Sequence, residues 1–242
     1  MKADVADLAG WQPARAPEHR PLEGARVRLE PLDPERQADE LFAAAQGPGA
    51  DPELWHFLPY GPFRDAAELR EWLVEPAASS DPLFLAVTDL ATGRAGGVVS
   101  YLRIDTEHGS IEIGHIWFGA QLQRTPQATE AVYLLARHAF DDLGHRRLEW
   151  KCNAANDRSC RAAERFGFTF EGVFRNHMVV KGRNRDTAWF SLLDREWPAA
   201  RAGFEEWLAP ENFDAGGRQR RALAEIRDSS AARPSRPDAH PA

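Results

Sequence analysis

The chain has 242 residues, 43% of them hydrophobic, and a net charge of −7. That length and apolar share suit one packed domain with extensions, while the negative balance excludes an ordinary electrostatic nucleic-acid binder. No apolar run approaches a membrane span and no apolar signal core opens the chain, so the expectation is a cytoplasmic protein with no membrane and no nucleic-acid partner.

In chain order, residues 1–23 carry Pro, Arg, Ala and Glu without periodicity and predict a flexible N-terminal arm, with Trp11 as a possible dock. Arg26 to Glu30 alternates and predicts a strand. Asp33-Pro34-Glu35 starts a helix with a cap, a proline at the first position and an acid in the first turn. Trp55-His56-Phe57-Leu58-Pro59-Tyr60 is an aromatic loop, read either as a lid on the core or as a pocket wall. Asp65 to Glu68 resembles a capping box for a second helix, with Pro76 beyond its end. Leu83–Val87 and Gly97–Ile104 predict a hairpin about the turn at Ala91 to Arg94.

The stretch from Gly114 to Phe140 organises the rest. Ile111, Ile113, His115 and Trp117 are expected on one face of a strand, alternating with Glu112, Gly114, Ile116 and Phe118. A helix follows, with Thr125 as N-cap, Pro126 at the first position, and Ala128, Val132, Leu135, Ala139 and Leu143 as its stripe. A strand leading through a loop to a helix N-terminus is a ready anion site. Arg147–Asn153 alternates as the next strand, parallel to the first through a right-handed crossover. Cys152 and Cys160 offer neither a disulfide framework nor a zinc spacing, which fits a reducing compartment and no metal. Asn156 caps a short helix that Gly167 closes. Thr169–Phe174 and Thr187–Leu193 predict the last strands, joined by a long, turn-rich connection over 177–186 whose basic tip reads as a solvated hairpin tip or as a pocket wall. Trp197, Phe204 and Trp207 predict a docking helix, and a second helix is read over Gln219 to Arg227.

Two motifs carry a family resemblance. Gln123-Arg124-Thr125-Pro126-Gln127-Ala128, followed by Thr129-Glu130-Ala131, is similar to the coenzyme A pyrophosphate loop of the GNAT acyltransferase superfamily, except that Pro126 replaces the central glycine. Asn156 to Phe168 resembles that family's Asn-x-x-Ser helix ending in Glu-x-x-Gly-Phe. The branch resembled is that of the ribosomal-protein N-acetyltransferases, and the resemblance covers about residues 24–195. It implies a mixed α/β (α+β) sheet in the GNAT fold, with mostly antiparallel N-terminal strands and a splayed parallel central pair. The domain plan expected is an arm over 1–23, the acyltransferase domain over 24–195, a C-terminal helical extension over 196–228 and a disordered tail over 229–242.

The resemblance implies acetyl transfer from acetyl-CoA to a primary amine, a protein N-terminus or a small molecule, by a monomer or homodimer. Ser159 is then the acid beside the CoA sulfur and Glu112 the base for the amine. The strand backbone at Ile116, Trp117 and Phe118 polarises the carbonyl, and Gln123, Arg124, Thr125, Gln127, Ala128, Thr129, Asn153 and Asn156 join Ser159 in holding CoA. Trp55, Phe57 and Tyr60 are expected to line the acceptor site. Arg124 stands where the family usually has glycine and offers a fork of donors that compensates for Pro126. Helix capping by Ser159 and a salt-bridged Glu112 are the plainer readings of those residues. The proline in that loop also leaves room for a non-catalytic module that binds CoA or a partner on the same fold.

Overall fold

The computed structural model describes residues 8–231. Eight strands form one sheet in the order β1-β2-β3-β4-β5-β6-β8-β7. They are β1 Leu22–Glu23, β2 Val27–Pro31, β3 Leu83–Asp89, β4 Arg94–Asp105, β5 Ser110–Phe118, β6 Arg147–Asn153, β7 Thr169–Val180 and β8 Arg183–Leu193. The β5–β6 pair is parallel and every other neighbouring pair is antiparallel. The expected mixed sheet with a parallel central pair is therefore present.

Helices α1 Pro34–Gln46 and α2 Ala66–Ala78 cover one face. Asp33 accepts from Arg36 N at 3.1 Å while Gln37 Oε1 accepts from Asp33 N at 2.8 Å, so two orphan N–H groups are satisfied reciprocally. Leu41, Leu69 and Leu73 pack there on Phe84, Ala86, Val98 and Trp117. The other face carries α3 Pro126–Arg137, α4 Asp157–Phe166, α5 Trp197–Leu208 and α6 Leu223–Ala231. Val132, Leu135, Ala139 and Phe204 pack on Ile111, Ile113, Leu148 and Phe190 in this core. The predicted stripe of α3 is buried throughout, and the helix runs on into a π-helical turn over His138–Asp142. Gly167 adopts φ 97° and ends α4, a conformation in which a side chain would be strained.

Several expectations change. The strict alternation along β5 fails at His115, where φ is 49° and the register with β4 slips. This bulge switches faces: Ile116 and Phe118 join Ile113 on the α3 side, while Trp117 packs against the α1–α2 side. Period-2 counting cannot register one extra residue. The connection over 177–186 is not a long loop; β7 and β8 run to a tight turn at Lys181-Gly182, with φ 48° and 72°. Pro76 lies inside the last turn of α2, where only Ala77 and Ala78 follow and one lost backbone bond costs little.

The described part of the N-terminal segment is docked rather than loose. Ala14 N donates to Thr106 O at 2.9 Å, Arg15 N to Leu143 O at 2.8 Å and Trp11 Nε1 to Glu107 O at 3.0 Å. Buried Glu130 of α3 then accepts from the backbone N–H groups of Ala25, Arg26 and Val27 at 3.1, 2.6 and 2.8 Å, which fixes the entry to β2. Helix α6 continues through residues 229–231, and the remainder of the predicted tail lies outside the described residues.

Candidate active site

The sheet opens at its centre. β5 and β6 pair only from Ser110 with Arg147 to Ile113 with Trp150. Beyond that, β6 follows β8 as far as Asn153 with Thr187, and β5 follows β4 as far as Phe118 with Gly97. The two strands splay, and the edge of β5 from Gly114 onward faces a gap instead of a partner.

One group of expected residues lies on the α3–α4 side of this gap. Thr125 caps α3, accepting from Ala128 N at 3.4 Å and donating its hydroxyl to Leu122 O at 2.7 Å. The N–H groups of Arg124, Thr125 and Gln127 make no hydrogen bond to another described residue. With the helix dipole behind them they form an anion cradle. Arg124 is exposed, in no ion pair among the described residues, and held at φ 61°. The left-handed backbone explains why a glycine suits that position. Other motif side chains serve the protein itself. Gln123 Nε2 donates to Phe118 O at 2.9 Å, Thr129 is buried under Arg165 at 3.1 Å, and Ala128 is buried.

Ser159 sits in the first turn of α4, where Asn156 Oδ1 accepts from its N–H at 3.1 Å. Asn153 Oδ1 accepts from Ala155 N at 2.9 Å, so both asparagines shape the turn that presents Ser159. The Ser159 hydroxyl accepts from Trp150 Nε1 at 2.9 Å. Trp150, which donates to this hydroxyl, is absent from the residues expected at the site. Cys152 and Cys160 flank Ser159 with their sulfurs 3.6 Å apart, and burial pushes the Cys152 thiol up to about 12.

The second group lies on the α1–α2 side. Trp55 packs on Trp117 at 5.5 Å and on Tyr60 at 6.0 Å between centroids. Tyr60 stacks on His115 at 5.6 Å and 16°, and Phe84 also packs on the imidazole, tilted by 51° at 5.0 Å. Phe57 stands apart, with its ring contact made to His56 at 4.6 Å. Four buried polar atoms of this cluster have no protein partner: Trp55 Nε1, Tyr60 Oη, His115 Nδ1 and Trp117 Nε1. Such a gathering of orphans marks a place for a polar ligand or water. Burial, then the charges of Arg103 and Arg185, lowers His115 to about 4, so the imidazole is neutral at pH 7. The bulge that turns His115 into the cluster is visible only in the fold.

Lys181 at the hairpin tip reaches across and donates to the carbonyls of Trp55, Tyr60 and Gly61 at 2.9, 3.1 and 2.7 Å. That contact pins the aromatic loop to the β7–β8 turn. Glu112 is buried on β5, with Oε2 2.6 Å from Arg103 Nη1 and 3.0 Å from Lys151 Nζ. Lys151 is also 2.6 Å from Glu149 and sits 3.9 Å above the Trp189 ring. Glu112 is thus salt-bridged, with Oε1 as the oxygen left to accept a proton. A shallow concavity of about 850 Å³ on the outer hairpin, lined by Phe174, Arg175, Asn176, His177 and Asp186, contains none of the motif residues. Among the described residues, no His, Cys, Asp and Glu cluster could hold a metal ion.

Known proteins fit this geometry. Residues 26–169 match the model of the acetyltransferase (GNAT) domain. A Bacillus licheniformis protein named "Uncharacterized N-acetyltransferase p20" is 30% identical over 155 residues, which are 61% of this chain and 84% of that one. A Bacillus subtilis protein named "Putative ribosomal N-acetyltransferase" is 29% identical over 171 residues, covering 70% and 90% of the two chains. The crystal structure of a GCN5-related N-acetyltransferase from Brucella melitensis superposes with a TM-score of 0.87 at 50% identity, covering 90% of this chain and 99% of that one. The chain belongs to the GNAT acetyltransferase family and is an N-acetyltransferase.

Proposed function

We propose that the protein transfers the acetyl group of acetyl-CoA to a primary amine, with a free α-amine as the preferred acceptor. The observation that carries this reading is the splayed gap with an anion cradle and Ser159 on one face and the aromatic pocket on the other. The thioester supplies an activated acyl group: the amine nitrogen bonds to its carbonyl carbon, the C–S bond breaks, and the thiolate and the amine exchange one proton in net terms.

The chain's own groups supply the rest. The free N–H groups at Arg124, Thr125 and Gln127 bind the pyrophosphate, with Arg124 adding charge. The unpaired edge of β5 at Ile116 to Phe118 offers backbone N–H to the carbonyl oxygen. Ser159 Oγ accepts from Trp150, and its proton, which meets the Cys152 sulfur at rest, is the one given to the departing sulfur. Trp55 and Tyr60 wall the acceptor, and Glu112 Oε1 takes the amine's proton, directly or through water. Arg103 and Lys151 fix the Glu112 carboxylate in place. An α-amine near 7.7–8.0 is partly neutral at pH 7 and a lysine near 10.4 is not, a gap of about 2.5 units or 3.5 kcal/mol that favours the α-amine. The adjacent unjoined thiols of Cys152 and Cys160 support a cytoplasmic setting. CoA release from acetyl-CoA, followed over a panel of amines, peptides and aminoacyl conjugates, tests the reading. Release that depends on a primary amine supports it, and release at the hydrolysis rate for every amine overturns it.

A further inference from the structure

The cations of the acceptor pocket are not balanced. Arg103 and Lys151 are matched by Glu112 and Glu149 at 2.6–3.0 Å. Arg185 has no carboxylate within ion-pair distance among the described residues. Its Nε donates to Thr187 Oγ1 at 3.2 Å, which fixes the side chain and leaves the two terminal nitrogens of the guanidinium without a protein acceptor. The site is half-buried, and desolvation works against the guanidinium's charge there. Holding an Arg half out of water without a counter-charge is costly unless something else meets it.

Its position is informative. Thr187 pairs with Asn153 at the end of β6, so Arg185 lies just past the mouth of the β5–β6 gap. Arg185, Thr187 and Trp189 alternate onto the face that carries Lys151 and Glu112. The guanidinium is close enough to act electrostatically on Glu112, Cys152, Arg103 and the neutral His115. On the α3–α4 side a separate cradle already exists for phosphate, so Arg185 is not needed there.

We propose that Arg185 is a specificity residue that binds an anionic group of the acceptor, so the preferred substrates are primary amines bearing a carboxylate or phosphate near the amine. This rests on the acetyltransfer reading above. Two N–H groups in a fork match either anion in bidentate fashion. The imbalance also explains why an acidic chain keeps a locally basic pocket: an amine arrives with an anion attached and leaves the pocket neutral.

The test compares matched peptide amides with free N-termini: Asp-Ala-amide against Asn-Ala-amide, and phosphoserine-Ala-amide against Ser-Ala-amide. Initial rates with acetyl-CoA and calorimetric titration onto the CoA-loaded protein are measured for the parent, Arg185→Gln and Arg185→Lys. The parent is expected to favour at least one charged peptide over its neutral twin by about tenfold to a hundredfold. The pair that shows the preference tells carboxylate from phosphate. Arg185→Gln should reduce the preference to under about threefold, Arg185→Lys should restore part of it, and KM for acetyl-CoA should not move. Equal handling of charged and neutral peptides by the parent, binding of none of them, or an undiminished preference in Arg185→Gln overturns the proposal. A rise in acetyl-CoA KM would place Arg185 on the CoA and also overturn it. Failure of the parent to bind acetyl-CoA in a separate titration overturns the underlying reading instead.

Discussion

Trp150 Nε1 donates to Ser159 Oγ across 2.9 Å. A hydroxyl has one proton and two lone pairs, so accepting from the indole leaves its proton to be directed elsewhere, and in the resting protein it meets the Cys152 sulfur. Trp150 holds Ser159 from the core side, where its ring packs tilted on Phe166 at 5.9 Å and 46°. Ser159→Ala is expected to lower kcat about 10- to 100-fold with little change in acetyl-CoA affinity. Trp150→Phe keeps the hydroxyl and removes its orienting donor, so a smaller loss of kcat, roughly several-fold, is expected. Full turnover in a folded Ser159→Ala variant would leave Ser159 as a part of the helix start alone.

Tyr60 separates a packing role from a binding role. Its hydroxyl is buried without a protein partner, and burial raises its pKa well above the ordinary phenol value. Tyr60→Phe removes that orphan and should leave stability unchanged or raise it by up to about 1 kcal/mol. Tyr60→Ala should raise KM for the acceptor more than for acetyl-CoA. Thermal melting together with both KM values decides. Equal rises, or a simple fall in Tm, would assign the ring to the core.

Arg124 occupies a left-handed backbone at φ 61°. Arg124→Gly therefore relieves about 1 kcal/mol of strain while deleting the guanidinium. The expected result is a slightly more stable protein that binds CoA about tenfold to a hundredfold more weakly. Dephospho-CoA should show nearly the same loss if the contact is to the pyrophosphate. A change in affinity under about threefold in calorimetry sinks the compensation for Pro126.

His115 gives a pH dependence with a definite sign. Its folded pKa is lowered to about 4 from 6.5. The unfolded chain then binds more protons between those values, so the stability it contributes is complete above pH 6.5 and is lost as pH falls toward 4. His138 and His145 are also lowered by burial and add in the same direction. Replacing His115 with Asn, which tolerates a positive φ, should flatten part of the fall in denaturation midpoint between pH 7 and pH 5. An unchanged slope would mean that His115 is already solvated or protonated in the native protein.

The order of elements from β2 to β6, the caps at Asp33, Asp65, Thr125 and Asn156, and the stripe of α3 were legible because those signals are local, whereas β1 fell in the stretch read as a flexible arm. Two motifs marked the gap from either end. The pocket was less legible. His115 and Arg103 face it through positive-φ bulges, which add one residue to a period-2 pattern and leave no compositional trace. Lys181 read as a solvated hairpin tip, since the carbonyls it binds lie about 120 residues away in sequence. Glu112 was placed correctly on the strand, but its pairing with Lys151 and Arg103 needs the neighbouring strands in register.

The most direct test is CoA release from acetyl-CoA at pH 7 with two peptides that present the same residues, one with a free α-amine and a blocked lysine, the other with a blocked N-terminus and a free lysine. The account predicts amine-dependent release with the acetyl group found on nitrogen, at least about tenfold faster for the free α-amine. Release no faster than hydrolysis for both peptides, or a preference for the lysine, would contradict it.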